Sequence, residues 1–177
     1  IFQDYGLFPW LTVAGNVAFG LVVTRVPKAE RNKKVEEVLR RVGLWDFRDH
    51  YPHQLSGGMK QRTSIARVLA TDAQFLLMDE PFSALDFQTR YFMQEFLLEI
   101  WQKFNKTIIY VTHHVDEALL LSDVVYLMTA RPGTLVEEIK IDLPRPRDTS
   151  DPKFFEYRKH IIKFLEKEVK RVFDEQK

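Results

Sequence analysis

The sequence predicts an α/β protein built around a parallel sheet, and three observations predict it. Two short apolar runs, "QFLLM" near 74–78 and "TIIYV" at 107–111, are each followed by polar or turn-forming residues. Helical periodicity fills the stretch between them, and a third apolar run, "DVVYLM" at 123–128, follows a short helical segment. Strand, helix, strand, helix, strand is the order of a parallel sheet with helical crossovers. Continuous apolar runs, rather than alternation, suit strands covered on both faces.

The elements follow in order. Residues 1–10, "IFQDYGLFPW", read as a strand end and then a loop rich in aromatic residues, Gly and Pro. Thr12 is a helix N-cap ahead of Val13, Val17 and Leu21 at i, i+4, i+8. After Pro27 a second helix spans about 29–42, with Val35, Val38, Leu39 and Val42 on one face and Gly43 placed to end it. The first sixty residues are therefore mainly helical. The first strand ends at Asp79–Glu80–Pro81, and a helix near 87–104 carries Phe92, Phe96, Ile100 and Phe104 at helical spacing. The second strand ends at His113, a helix takes 115–121, and the third strand is followed after "RPG" by another at 134–141. "LPRPRD" is an extended linker, and 152–175 form an amphipathic helix along Phe154, Ile161, Leu165, Val169 and Val172.

Bulk properties narrow the function. A chain of 177 residues with 45% apolar content supports one domain, with room for a subdomain. A net charge of +1 with acids and bases nearly balanced argues against a dedicated nucleic-acid surface. The absence of cysteine removes disulfides and thiolate metal sites. No apolar run has the length of a membrane span, so a cytoplasmic location is expected. The sequence begins at Ile1 inside a motif, which leads us to expect a piece of a longer polypeptide.

Ligands of open parallel sheets bind beyond the carboxyl ends of the strands. Asp79, Glu80 and His113 fall at such ends. An Asp there can hold Mg²⁺ through water, since Mg²⁺ keeps several waters and takes few carboxylates. The adjacent Glu is free to orient or deprotonate a water, and a neutral His can contact a transferring phosphoryl group. The alternative for the Asp–Glu pair is an ordinary loop.

"QLSGGMKQR" at 54–62 places Ser56, Gly57 and Gly58 at the start of a helix, where the dipole and unpaired N–H groups favour an anion. The alternative is a capped helix after a loop. Gly15 and Gly20 have the glycine spacing of a phosphate loop, but Leu21 and Val22 stand where Lys and Ser/Thr are required, so they are expected to serve helix packing. His50, His53 and His160 have no partners at ligand spacing, and no zinc site is expected. "LFPWL" at 7–11 is core of the helical part or a docking surface.

Together these motifs resemble the ATP-binding subunit of an ABC transporter over essentially the whole chain. "LSGGMKQR" resembles the signature, "FLLMDEP" the Walker B strand, "SALD" (83–86) the D-loop, "VTHH" (111–114) the switch-histidine segment and "IFQD" the glutamine loop. The tail "ARPGTLVEEIKIDLPRPRD" is similar to importers of the nitrate, sulfonate and taurine type, which include pyrimidine-precursor systems.

The resemblance implies a P-loop NTPase-like (RecA-like) core, N-terminally incomplete, with a helical subdomain. It implies three regions: 1–62, glutamine loop and helical subdomain ending in the signature; 63–142, the α/β core; and 143–177, linker and C-terminal helix. It implies ATP and Mg²⁺ as cofactors. By it Gln3 and Asp79 would serve Mg²⁺, Glu80 would be the catalytic base and His113 would contact the γ-phosphate. Ser56, Gly57 and Gly58 would touch ATP held by a second, identical subunit, and Asp86 would reach across that interface.

The implied partners are a membrane permease docking near Tyr5 to Leu11, the second ATP-binding subunit and, indirectly, a solute-binding protein. The implied location is peripheral, at the cytoplasmic face of the membrane. Position 114 is His where the family usually has Asp. The family's Walker A loop has no match here, so this chain alone is expected to be inactive as an ATPase. The alternative is a non-catalytic module that docks on a permease or self-associates.

Overall fold

The computed structural model describes residues 1–104 and 106–175. It divides into two compact units, residues 1–111 and 112–177.

In the first unit, α1 (Val13–Val23), α2 (Lys28–Arg41) and α3 (Gly57–Leu69) pack on one another, with 3₁₀ turns at Trp45–Phe47 and Pro52–Gln54 between α2 and α3. Val13, Val17, Leu21, Val35, Leu39, Ile65 and Leu69 form their buried faces, and Leu44 is buried just beyond α2. Thr12 caps α1 as expected, its hydroxyl accepting from the Gly15 N–H at 3.1 Å. Gly43 ends α2 in the left-handed region (φ 68°). The N–H of Leu44 then reaches the Leu39 carbonyl and that of Gly43 the Arg40 carbonyl, the paired bonds of a Schellman end. Gly20 does serve packing: a Cβ there would lie 2.6 Å from Thr71 Cγ2.

The sheet of this unit is a parallel pair, β1 (Phe75–Asp79) and β2 (Thr107–Val111), joined by α4 (Phe87–Phe104). Ile1 does not begin a strand, but it bridges β1 in the parallel sense, donating to the Leu77 carbonyl (2.6 Å) and accepting from the Asp79 N–H (3.0 Å).

Three expectations change here. β1 is covered on one face only: Leu76 and Met78 are buried, whereas Phe75 and Leu77 are 67% and 63% exposed, and Ile109 and Val111 of β2 lie on the same open face. α4 buries Met93, Leu97 and Ile100, leaving Phe92 exposed and Phe96 and Phe104 half-buried. That helix carries two apolar stripes, and periodicity alone does not choose between them. β2 ends at Val111, so His113 stands two residues beyond the strand.

In the second unit, α5 (Val115–Leu121) leads to β3 (Val124–Met128) and β4 (Leu135–Lys140), and α6 (Pro152–Glu175) packs on α5. β3 was expected to extend the parallel sheet. It instead pairs antiparallel with β4, Val125 opposite Ile139, in a sheet of its own. Only six residues separate these strands, too few for a parallel crossover and ample for a hairpin. Leu119, Val125, Leu127, Ile139, Ile141, Leu143, Phe154 and Ile161 make the core.

The "LPRPRD" segment is a clamp as much as a linker. Arg147 donates to the carbonyls of Leu119, Ser122 (2.6 Å), Ile141 and Leu143, and Arg145 donates to the Leu121 carbonyl (2.7 Å) and pairs with Asp123. Three of these acceptors are last carbonyls of α5, which the helix itself leaves unpaired. Burial lowers the Arg147 guanidinium to about 10. α6 was expected to bury one stripe from Phe154 to Val172. Phe154 and Ile161 are buried, but Leu165 and Val169 are 38% and 54% exposed.

Candidate functional site

The start of α3 is the most informative place in the first unit. Ser56 is its N-cap: the hydroxyl accepts from the Met59 N–H at 3.3 Å and the carbonyl from Lys60 at 3.0 Å. Among the described residues the N–H groups of Gly57 and Gly58 have no acceptor. α1 differs. Its first N–H groups, on Val13 and Ala14, donate to the carbonyls of His50 (2.8 Å) and Arg48 (2.9 Å). Open N–H groups on a thirteen-residue helix, with the positive end of its dipole behind them, suit an anion.

The glycines also set packing. A Cβ on Gly57 would lie 3.2 Å from both Leu85 Cδ2 and Tyr5 Oη, and one on Gly58 would lie 2.9 Å from Thr89 Cγ2. The helix start is thus pressed against the glutamine-bearing loop on one side and the 83–89 segment on the other. Deeper in α3, Gln61 is fully buried, and neither amide atom has a hydrogen-bond partner among the described residues.

At the carboxyl end of β1 the chain turns sharply. Glu80 adopts a left-handed backbone (φ 42°), a strained choice for a non-glycine residue. Its N–H donates to Val111 at 2.9 Å, and its carbonyl accepts from the N–H and hydroxyl of Ser83 (3.2 and 2.9 Å). Asp79 is exposed and Glu80 half-buried. Gln3 is exposed in a turn two residues after Ile1, whose carbonyl holds the Asp79 N–H, so Gln3 and Asp79 stand at one end of the sheet. Pro81 and Phe82 are buried beneath the turn. Asp86 caps α4, accepting from Thr89 N–H at 3.1 Å, and hydrogen bonds from Thr89 hold its carboxyl below the usual range.

Two arginines that sequence reasoning passed over hold these loops. Arg67 of α3 donates to the carbonyls of Gly6 (2.6 Å) and Tyr5 (3.4 Å) and lies over the Phe8 ring. Burial lowers its pKa. Tyr5 and Gly6 both have positive φ, so this turn is one that Arg67 helps to fix. Arg90 of α4 donates to the carbonyls of Phe82 (3.3 Å) and Leu85 (2.9 Å). A signal existed for Arg90: a cation in the first turn of a helix opposes the dipole and needs another reason to be there. A third unforeseen residue, Asn16, is fully buried and fastens the "LFPWL" loop. It accepts from the Phe8 N–H (2.8 Å) and donates to Phe8, Leu11 and Thr12 carbonyls. Trp10 remains 70% exposed beside a groove lined by Leu11, Ala14, Phe19 and Val22.

His113 belongs to the second unit. It is exposed, its ring 4.2 Å from that of His114. His114 is the N-cap of α5 and makes no side-chain capping bond. Just before it, the Thr112 hydroxyl accepts from the His114 N–H (3.0 Å) and donates to buried Glu117 (2.8 Å).

Among the described residues no cluster of three His, Asp or Glu could enclose a metal by itself, and no helix is long and apolar enough to cross a membrane. An Asp at a strand end still fits Mg²⁺, which takes one or two protein ligands and completes its shell with water and phosphate oxygens.

The family model for ABC transporters matches residues 1–83. An uncharacterized ABC transporter ATP-binding protein of Methanocaldococcus jannaschii is 55% identical over 169 residues, covering 96% of this chain and 63% of its own length. A nitrate import ATP-binding protein of Synechocystis is 45% identical over 93% of this chain and 65% of its own. A taurine import ATP-binding protein of Pseudomonas putida is 45% identical over 92% and 65%. The chain spans less than two thirds of the length of these relatives. By these matches the chain belongs to the ATP-binding family of ABC transporters.

Proposed function

We propose that these residues form part of an ATP-hydrolysing subunit that powers an importer of small solutes at the cytoplasmic face of a membrane. The observation that carries this is the α3 start: a serine cap followed by two glycines with open N–H donors, on the unit that bears Asp79 and Glu80 at the end of β1. In this reading the β1–β2 pair belongs to a RecA-like sheet. Asp79, with Gln3, holds Mg²⁺, whose charge neutralises phosphate oxygens when it is bound. Glu80, aimed by its turn, takes the proton of the attacking water, and His113 contacts the γ-phosphate. Ser56, Gly57 and Gly58 close over ATP gripped by a second copy, and Asp86 crosses that interface. The groove beside Trp10, with residues 5–11, is the surface for a permease. The nitrate and taurine import in the names of two relatives favours an anionic or zwitterionic solute; a solute-binding protein that delivers it is part of the proposal.

No G-x-x-x-x-G-K-[S/T] occurs in the 177 residues. The backbone cradle and lysine of such a loop supply most triphosphate binding. The chain as given should therefore bind ATP no tighter than roughly 100 µM and show no hydrolysis. A chimaera supplying the residues of the M. jannaschii relative that lie outside the match should hydrolyse ATP. Glu80→Gln in that chimaera should slow it by about 100-fold or more with binding retained. An unchanged rate would remove Glu80 from its role, and micromolar ATP affinity of the chain alone would overturn the phosphate-grip argument. The exposed face of Phe75, Leu77, Ile109 and Val111 favours a second reading, a non-catalytic module that self-associates. An inactive chimaera would support it.

A further inference from the structure

α6 carries more apolar surface than its own unit uses. Phe154, Tyr157, Ile161 and Phe164 face the β3–β4 core. A second stripe, Phe155, Ile162, Leu165 and Val169, is exposed along the same helix. At about 100° per residue the two stripes lie roughly a quarter turn apart. The outer stripe has coiled-coil spacing: 155, 162 and 169 are seven apart, and Leu165 follows Ile162 by three, the a and d positions of a heptad.

We propose that this stripe is a self-association seam in which α6 packs antiparallel against α6 of a second copy. Charge selects the occupant. One flank of the seam is taken up by the helix's own unit, and the free flank carries exposed Lys159 and Glu166, of opposite sign and seven residues apart. A parallel pair would need this flank to face the partner's opposite flank, which Phe154 and Ile161 hold against their own core. An antiparallel pair with its two-fold axis between Ile162 and Leu165 brings Lys159 within one helical turn of Glu166 on the other copy, twice by symmetry. Ile162 and Leu165 then pack at the axis, with Phe155 and Val169 toward the two ends.

The chain lacks cysteine, which makes the test direct. In mild oxidant, an equimolar mixture of Lys159→Cys and Glu166→Cys chains should form mainly 159–166 disulfide-linked dimers. Sedimentation across the micromolar range should show dimers of the unmodified chain. Lys159→Glu or Glu166→Lys alone should weaken them about tenfold, and the double reversal should restore them. Ile162→Glu should abolish the dimer with circular dichroism unchanged, because this side chain is already 37% exposed. A chain monomeric throughout, dimers lost through Leu77→Glu but indifferent to Ile162→Glu, or cross-links joining 159 to 159 would each overturn the proposal. So would capture of a different protein by the stripe with no self-pairing.

Discussion

Two helices of the first unit begin alike in sequence and end up in opposite situations. α1 starts after Thr12 and α3 after Ser56, both hydroxyl N-caps with extended backbone. At α1 the chain closes the helix end itself, with His50 and Arg48 carbonyls for the first two N–H groups and Asn16 fastening the loop in front. At α3 the corresponding N–H groups have no acceptor among the described residues, and the cap is long. A helix end that the protein satisfies internally is scaffold. One left open has forgone stability of order 1 kcal/mol per unpaired group, and a ligand can recover it.

The comparison can be broken at several points. The largest effect is expected at Asn16. Asn16→Ala removes four hydrogen bonds from a fully buried site and should cost about 3 kcal/mol in a urea titration, freeing the loop that presents Trp10. A cost under about 1 kcal/mol would mean the α1 end is not closed as described.

Next comes Gly58→Ala, whose methyl would meet Thr89 at 2.9 Å and should destabilise by about 1–2 kcal/mol. Adding Thr89→Ser, which deletes the opposing methyl, should return most of that loss, and melting temperatures of the two variants would show it. The smallest is the pair of caps. Thr12→Ala should cost about 1 kcal/mol, whereas Ser56→Ala, cap to a longer bond on an exposed end, should cost roughly half as much. Equal losses would erase the contrast between the two helix starts.

Much of this was legible in sequence because it rests on local signals. Thr12, Gly43 and Ser56 declare their helix ends through side-chain chemistry or backbone freedom. The motifs 54–62 and 75–86 could be read for the same reason: each is contiguous. What escaped is non-local. The antiparallel pairing of β3 with β4 depends on which strand finds a partner, and apolar content does not say. The choice of Met93 and Leu97 over Phe92 and Phe104 depends on where neighbours lie. Arg67 and Arg90 reach carbonyls 61 and 8 residues away, and no spacing rule links an arginine to a carbonyl. At α5 the Thr112 hydroxyl links the His114 N–H to Glu117, a contact that neither residue announces alone.

The seating of Gly58 on Thr89 has a further consequence. Thr89 is also the residue whose N–H anchors Asp86, so its side chain meets the start of α3 while its backbone caps α4. Anything that crowds the start of α3 toward α4 therefore presses on the residue that also holds Asp86. One residue thus serves both as a wall for the open end of α3 and as the anchor of the cap of α4.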